Sequence, residues 1–114
     1  MENANIIQDC KTNEKAVNKV TQIKTEQLTF DTYYFNPGQV LEYHKHPTGD
    51  QIFVVLQGEG DFYLDDGMEE VIKVSKGSVF LAPKDVWHKI VNTGNEVLAA
   101  SQTTKQPAGM VVRD

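Results

Sequence analysis

The sequence predicts an all-β protein, a small sandwich or closed barrel, and three observations lead there. From Val20 onward the chain falls into short runs rich in β-branched and aromatic residues, separated by turn signals. No segment places apolar residues at helical period for three turns, which confines helix at most to the first residues or to the tail QPAGMVVRD. The length of 114 residues, with 39% hydrophobic and 24% charged content, suits one globular domain built around one core. Many short strands in so small a chain favour a closed arrangement, because an open sheet leaves edges that invite aggregation.

Residues 1–18 are polar and aperiodic and read as a leader or a loose first strand, leaving 19–114 as the single barrel domain. VTQIKT and LTFDTYYF read as strands, ended by Asn36-Pro37-Gly38. QIFVVLQ follows and stops at Gly58, and DFYLD closes on Asp65-Asp66-Gly67, a hairpin turn because Asp and Gly tolerate positive φ. MEEVIKV runs into Lys76-Gly77, SVFLA stops at Pro83, HKIVN reaches Thr93-Gly94-Asn95, and EVLAASQTT is the last strong strand. About eight or nine strands result. Gly38, Gly58 and Gly77 fit turns better than a phosphate-cradling loop. Trp87, Tyr34, Phe53, Phe80 and Tyr63 are expected in the core rather than against a substrate.

Composition narrows the function classes. The net charge is −5 and the eleven basic residues are scattered, which argues against nucleic acid as a partner. No stretch approaches the ~20 apolar residues of a membrane helix, and the N-terminus lacks a signal core, so a cytoplasmic protein is expected. The single Cys10 cannot close a disulfide within the chain and agrees with a reducing compartment. There is no GxSxG, no cysteine with a spaced histidine partner and no clean carboxylate pair, which leaves metal chemistry as the candidate.

His44 and His46 lie at i and i+2, which on a strand puts both imidazoles on one face, roughly 6–7 Å apart along the backbone. Gln51 follows a Pro47-Thr48-Gly49-Asp50 turn that can fold the next strand back toward the same point. His88 begins a strand far along the chain, so all three histidines enter one constellation. The spacing is longer than a bare HxH. Gly38, five residues, His44, one, His46, four, Gln51, six, Gly58 form a first segment; Gly77, five, Pro83, one, Asp85, two, His88, three, Asn92 form a second.

These two segments resemble the paired motifs of the cupin superfamily. The resemblance covers residues 38–92 and implies a double-stranded β-helix jelly roll with one divalent transition metal: zinc, nickel, iron, manganese, cobalt or copper. It implies that His44, His46, Gln51 and His88 fill the four ligand slots. Two departures stand out. The third slot usually holds Glu, whereas Gln51 coordinates through a neutral carbonyl oxygen and cannot act as a base. Asp85 stands where the second motif usually has Gly, at a turn expected to need positive φ, which Asp tolerates.

Glu42 shares strand parity with His44 and His46 and is the candidate proton carrier, with Tyr34 or Tyr63 as others. Alternation on QIFVVLQ puts Gln51, Phe53, Val55 and Gln57 toward the metal and Ile52, Val54 and Leu56 outward. The apolar outer face is expected to be covered by a second copy in a homodimer, or by the N-terminal residues within one chain. Three functions fit: a non-redox isomerase or lyase using the ion as Lewis acid on a small sugar acid, enol or keto acid; an iron- or manganese-dependent dioxygenase; and a non-catalytic binding module.

Overall fold

The computed structural model describes residues 1–114 as ten strands and no helix. They are β1 (Asn18–Lys24), β2 (Leu28–Phe35), β3 (Val40–Lys45), β4 (Gln51–Gln57), β5 (Glu59–Asp65), β6 (Glu69–Ser75), β7 (Val79–Ala82), β8 (Trp87–Asn92), β9 (Leu98–Lys105) and β10 (Val111–Val112). Two five-stranded antiparallel sheets face each other, in the orders β1-β2-β9-β4-β7 and β10-β3-β8-β5-β6. From β2 to β10 the chain passes from one sheet to the other at every step but the β5–β6 hairpin. This is the expected double-stranded β-helix jelly roll.

Period-two alternation builds the interior. On β8, His88, Ile90 and Asn92 are buried, while Trp87, Lys89 and Val91 are more open. The same inward row thus supplies a polar group at one end of the barrel and apolar packing in the middle. Tyr33, Phe35, Phe53 and Val55 of one sheet meet Phe62 and Ile90 of the other, with Phe80 stacked on Phe53 at 5.1 Å between ring centres. At the far end the Asn92 amide donates to the carbonyls of Phe35 (3.0 Å) and Glu96 (2.9 Å), tying the sheets together.

Turn chemistry follows the sequence. Gly67 has φ 115°, and its N–H donates to the Asp65 carboxylate at 3.1 Å. Asp85 adopts φ 60°, as its place in the turn demands.

The structure corrects one expectation and sharpens two others. The tail is not helical: Val111 and Val112 form a tenth strand on the edge of β3. Gln57 does not continue the inward row of β4, because a bulge between Val55 and Gln57 shifts the register against β9, and its amide donates to Val97 O at 3.1 Å. The N-terminal residues cover only part of the outer face. The Tyr34 hydroxyl donates to Ile6 O at 2.7 Å, yet Ile52, Val79 and Leu81 remain 58%, 67% and 49% exposed. No helix is long and apolar enough to cross a membrane.

Candidate metal centre

The inward rows bring the three histidines together. His44 on β3 is the direct cross-strand partner of His88 on β8, and their ring centres are 4.2 Å apart. His46 lies one residue beyond the end of β3, with its ring centre 5.2 Å from His44 and 5.6 Å from His88. A nitrogen from each ring can be chosen so that all three lie within 4.8 Å of one another. That spread is close to twice a metal–nitrogen bond of about 2.1 Å. Gln51 opens β4 in the opposite sheet, is 1% exposed, and lines the same cavity as His44 and His46.

Each ring is oriented through Nδ1, which meets a backbone carbonyl: Glu42 for His44 (2.8 Å), Gly109 for His46 (2.6 Å) and Val86 for His88 (3.3 Å). Such contacts place the proton on Nδ1 and leave Nε2 as a lone pair. Nε2 of His46, Nε2 of His88 and Oε1 of Gln51 are buried and have no hydrogen-bond partner. Buried polar atoms without partners are costly; two of these line one cavity and the third belongs to the same histidine group, so one ion could accept their lone pairs. A divalent ion answers that need, so the histidine group fits a metal.

Electrostatics agrees with neutral imidazoles whose lone pairs are free to ligate. Burial pushes His88 down to about 3, and neighbouring His44 pushes the same way. Burial also lowers His44 and His46, and the Lys19 ammonium at the cavity mouth adds to both effects. The cavity holds about 540 Å³. Leu41, Met110 and Val112 give it an apolar side; Asp31, Gln102 and Thr104, all nearly fully buried, give it a polar one. Thr104 donates to Gln102 and Gln102 donates to Asp31, whose other oxygen accepts from Thr21. Tyr33 also faces the cavity, its pKa pushed up to about 12 by burial and by Asp31, against an opposing pull from Gln51.

The proton carriers read from sequence fall in different places. The Glu42 side chain is exposed at the cavity rim while its carbonyl orients His44. Tyr34 lies outside the barrel under Ile6, because Asp31, Tyr33 and Phe35 take the inward parity of β2. Tyr63 is outside too, beneath the Lys89 ammonium at 4.3 Å, since Phe62 and Leu64 hold the inward positions of β5. Trp87 likewise sits on the outer face, 4.6 Å from Lys45 Nζ, whereas Phe53 and Phe80 are core as expected. Asp31 went unread in the sequence although a lone carboxylate within LTFDTYYF, at even spacing from Tyr33 and Phe35, was the available signal.

The family model described as a cupin domain matches residues 32–100 of this chain. The chain belongs to the cupin family. An uncharacterized protein of Methanocaldococcus jannaschii is 40% identical over 52 residues, which cover 46% of this cupin and 39% of that relative. The chain therefore spans about two-fifths of that relative's length. An uncharacterized conserved protein with a double-stranded β-helix domain from Klebsiella pneumoniae superposes with a TM-score of 0.90 at 18% identity, over 100% of this chain and 98% of its own. A recombinant oxalate oxidase in complex with glycolate gives a TM-score of 0.81 at 19% identity, over 96% of this cupin and 62% of that chain. At such identities the likeness is one of fold.

Proposed function

We propose that this cupin is a metal-dependent enzyme in which His44, His46, His88 and Gln51 hold one divalent transition metal, zinc, nickel, iron, manganese, cobalt or copper. The observation that carries the reading is a histidine trio whose nitrogens lie within 4.8 Å of one another, with buried unpartnered Nε2 atoms on His46 and His88, an unpartnered Oε1 on Gln51 of the same cavity as His44 and His46, and every histidine Nδ1 already engaged. With four neutral ligands the ion would keep its full charge and act as a Lewis acid on a carbonyl or enolate oxygen. A small sugar acid, enol or keto acid suits a cavity of about 540 Å³ with one polar and one apolar side. We assign isomerase or lyase chemistry. Because Gln51 cannot take a proton, that task falls to Glu42 at the rim and to Asp31 deeper in, held by Thr21 and Gln102. Buried carboxylate and open cavity together favour turnover over a passive binding module.

We further propose a homodimer formed through exposed Ile52, Val79 and Leu81, and a cytoplasmic setting in keeping with the lone exposed thiol of Cys10. The test is elemental analysis of untagged protein, followed by an oxygen-uptake and product screen against enols, keto acids and sugar acids. Stoichiometric metal with turnover and no oxygen uptake is the expected result. Substrate-dependent oxygen uptake with iron or manganese would replace it by the dioxygenase reading, metal without turnover by a binding module, and no metal would overturn it. Light scattering checks the dimer.

A further inference from the structure

We infer that residues 106–113 form a strap belonging to the metal centre, clamped by Arg113 as a positioning residue, so that strap docking and ion binding stabilise each other. This rests on the proposed metal site and concerns how one ligand is held.

His46 stands beyond the last ladder pair of β3, and its Nδ1 is oriented by Gly109 O, 63 positions away in sequence. The strap is fastened nearby at Thr48, whose N–H donates to Ala108 O (3.1 Å) and whose hydroxyl donates to Pro107 O (2.7 Å). Beyond Gly109 it forms a two-residue ladder, Val111 opposite Lys45 and Val112 opposite His44. Met110, Val111 and Val112 stay 63%, 41% and 61% exposed, so apolar burial contributes little to holding them. Arg113 supplies the anchor. Its guanidinium carbon lies 3.7 Å from the centre of the Tyr43 ring, one guanidinium nitrogen is 2.8 Å from the Asp65 carboxylate, and its N–H donates to Tyr43 O at 3.2 Å. Tyr43 precedes His44, so the clamp closes on the strand that carries a second ligand.

A group that orients a metal-bound imidazole through its other nitrogen typically governs about 10–100-fold in metal affinity. If docking the strap favours the ion, the ion favours docking by the same factor. Arg113 therefore acts on the metal through Gly109 and His46 without touching either the ion or a substrate.

The experiment uses the full chain stripped of metal and titrated with zinc against a chromophoric chelator, alongside amide hydrogen exchange with and without zinc. Arg113→Ala is expected to weaken zinc binding about 10–100-fold. Asp65→Asn, which keeps the aromatic contact, should fall between it and the wild type. Zinc should slow exchange at the Thr48 and Arg113 amides in the wild type and much less in Arg113→Ala. Lys73→Ala removes an ion pair with Asp61 at the far edge of the same sheet and should leave affinity unchanged. Equal affinity in Arg113→Ala and wild type, or equal loss in Lys73→Ala, overturns the inference. If the wild type binds no zinc or other divalent ion, the proposed function falls and the inference with it.

Discussion

His44 and His88 are held by their own strands, whereas His46 is held by a segment from the other end of the chain. The first two face each other across one ladder, and each Nδ1 meets the carbonyl two residues back, of Glu42 and Val86. His46 lies past the ladder, and its Nδ1 contact arrives from Gly109. Two candidate ligands are thus fixed by local strand geometry, and the third by a closure that forms only when the tail is docked. Positions of the first kind share the stability of the sheet; positions of the second kind open with a free energy of their own.

The comparison can be broken most directly at a strand-held candidate ligand. His88→Ala should abolish most metal binding while the barrel remains folded, judged by elemental analysis beside circular dichroism; stoichiometric metal in that variant would sink the site. The pH dependence of the metal-free protein sharpens it next. His88 is held at about 3 when folded but titrates near 6.5 when unfolded, so the unfolded chain takes up the proton first as pH falls. The stability this imidazole contributes is complete above about pH 6.5 and declines toward pH 3, by roughly 1.4 kcal/mol per pH unit where the two states differ by a full proton. Urea unfolding across that range should show the loss, and His88→Gln should reduce it, leaving the smaller part that the lowered His44 and His46 contribute.

Gly49→Ala tests the strap from its other side. A Cβ there would lie 2.6 Å from Ala108 Cβ and 3.0 Å from Lys105 O, so the strap or the 47–50 turn must shift. A cost of about 1–3 kcal/mol is expected, with faster exchange in residues 106–113 and weaker metal binding than wild type. The smallest effect is that of Asp85→Val, about 1–2 kcal/mol for a branched residue at φ 60°, whereas Asp85→Gly should be near neutral in the same urea titration.

The strands were legible because LTFDTYYF, QIFVVLQ and HKIVN alternate or run apolar between clear turn residues, and such local signals survive folding. The histidine group was legible for a related reason: an HxH pair at a strand end and a histidine opening a later strand sit on rows that a jelly roll turns inward. The strap was not. QPAGMVVRD has no period, its strand is two residues long, and its partners Lys45 and Tyr43 lie more than 60 residues earlier, so nothing local marks Gly109 or Arg113. Parity on β2 was also left without an anchor, which is how Tyr34 stood in for Tyr33 and Asp31 was passed over. Gln57 failed for a similar reason, since nothing in QIFVVLQG marks the bulge at its end.

Asp85 has a bearing on how this cupin can drift in sequence. Its N–H donates to His46 O at 2.8 Å, and its carboxylate pairs with Lys45 at 3.1 Å, while three residues later the chain presents His88. One turn residue thereby fastens the two histidine-bearing segments to each other. Random exchange at 85 is filtered by the backbone, since only Gly, Asn and Asp enter its left-handed conformation easily, whereas the ion pair, with the Asp85 side chain 62% exposed, adds little. Gly and Asn keep the backbone tie to His46 O, so exchange among Asp, Asn and Gly is the expected route by which homologous sequences would diverge here.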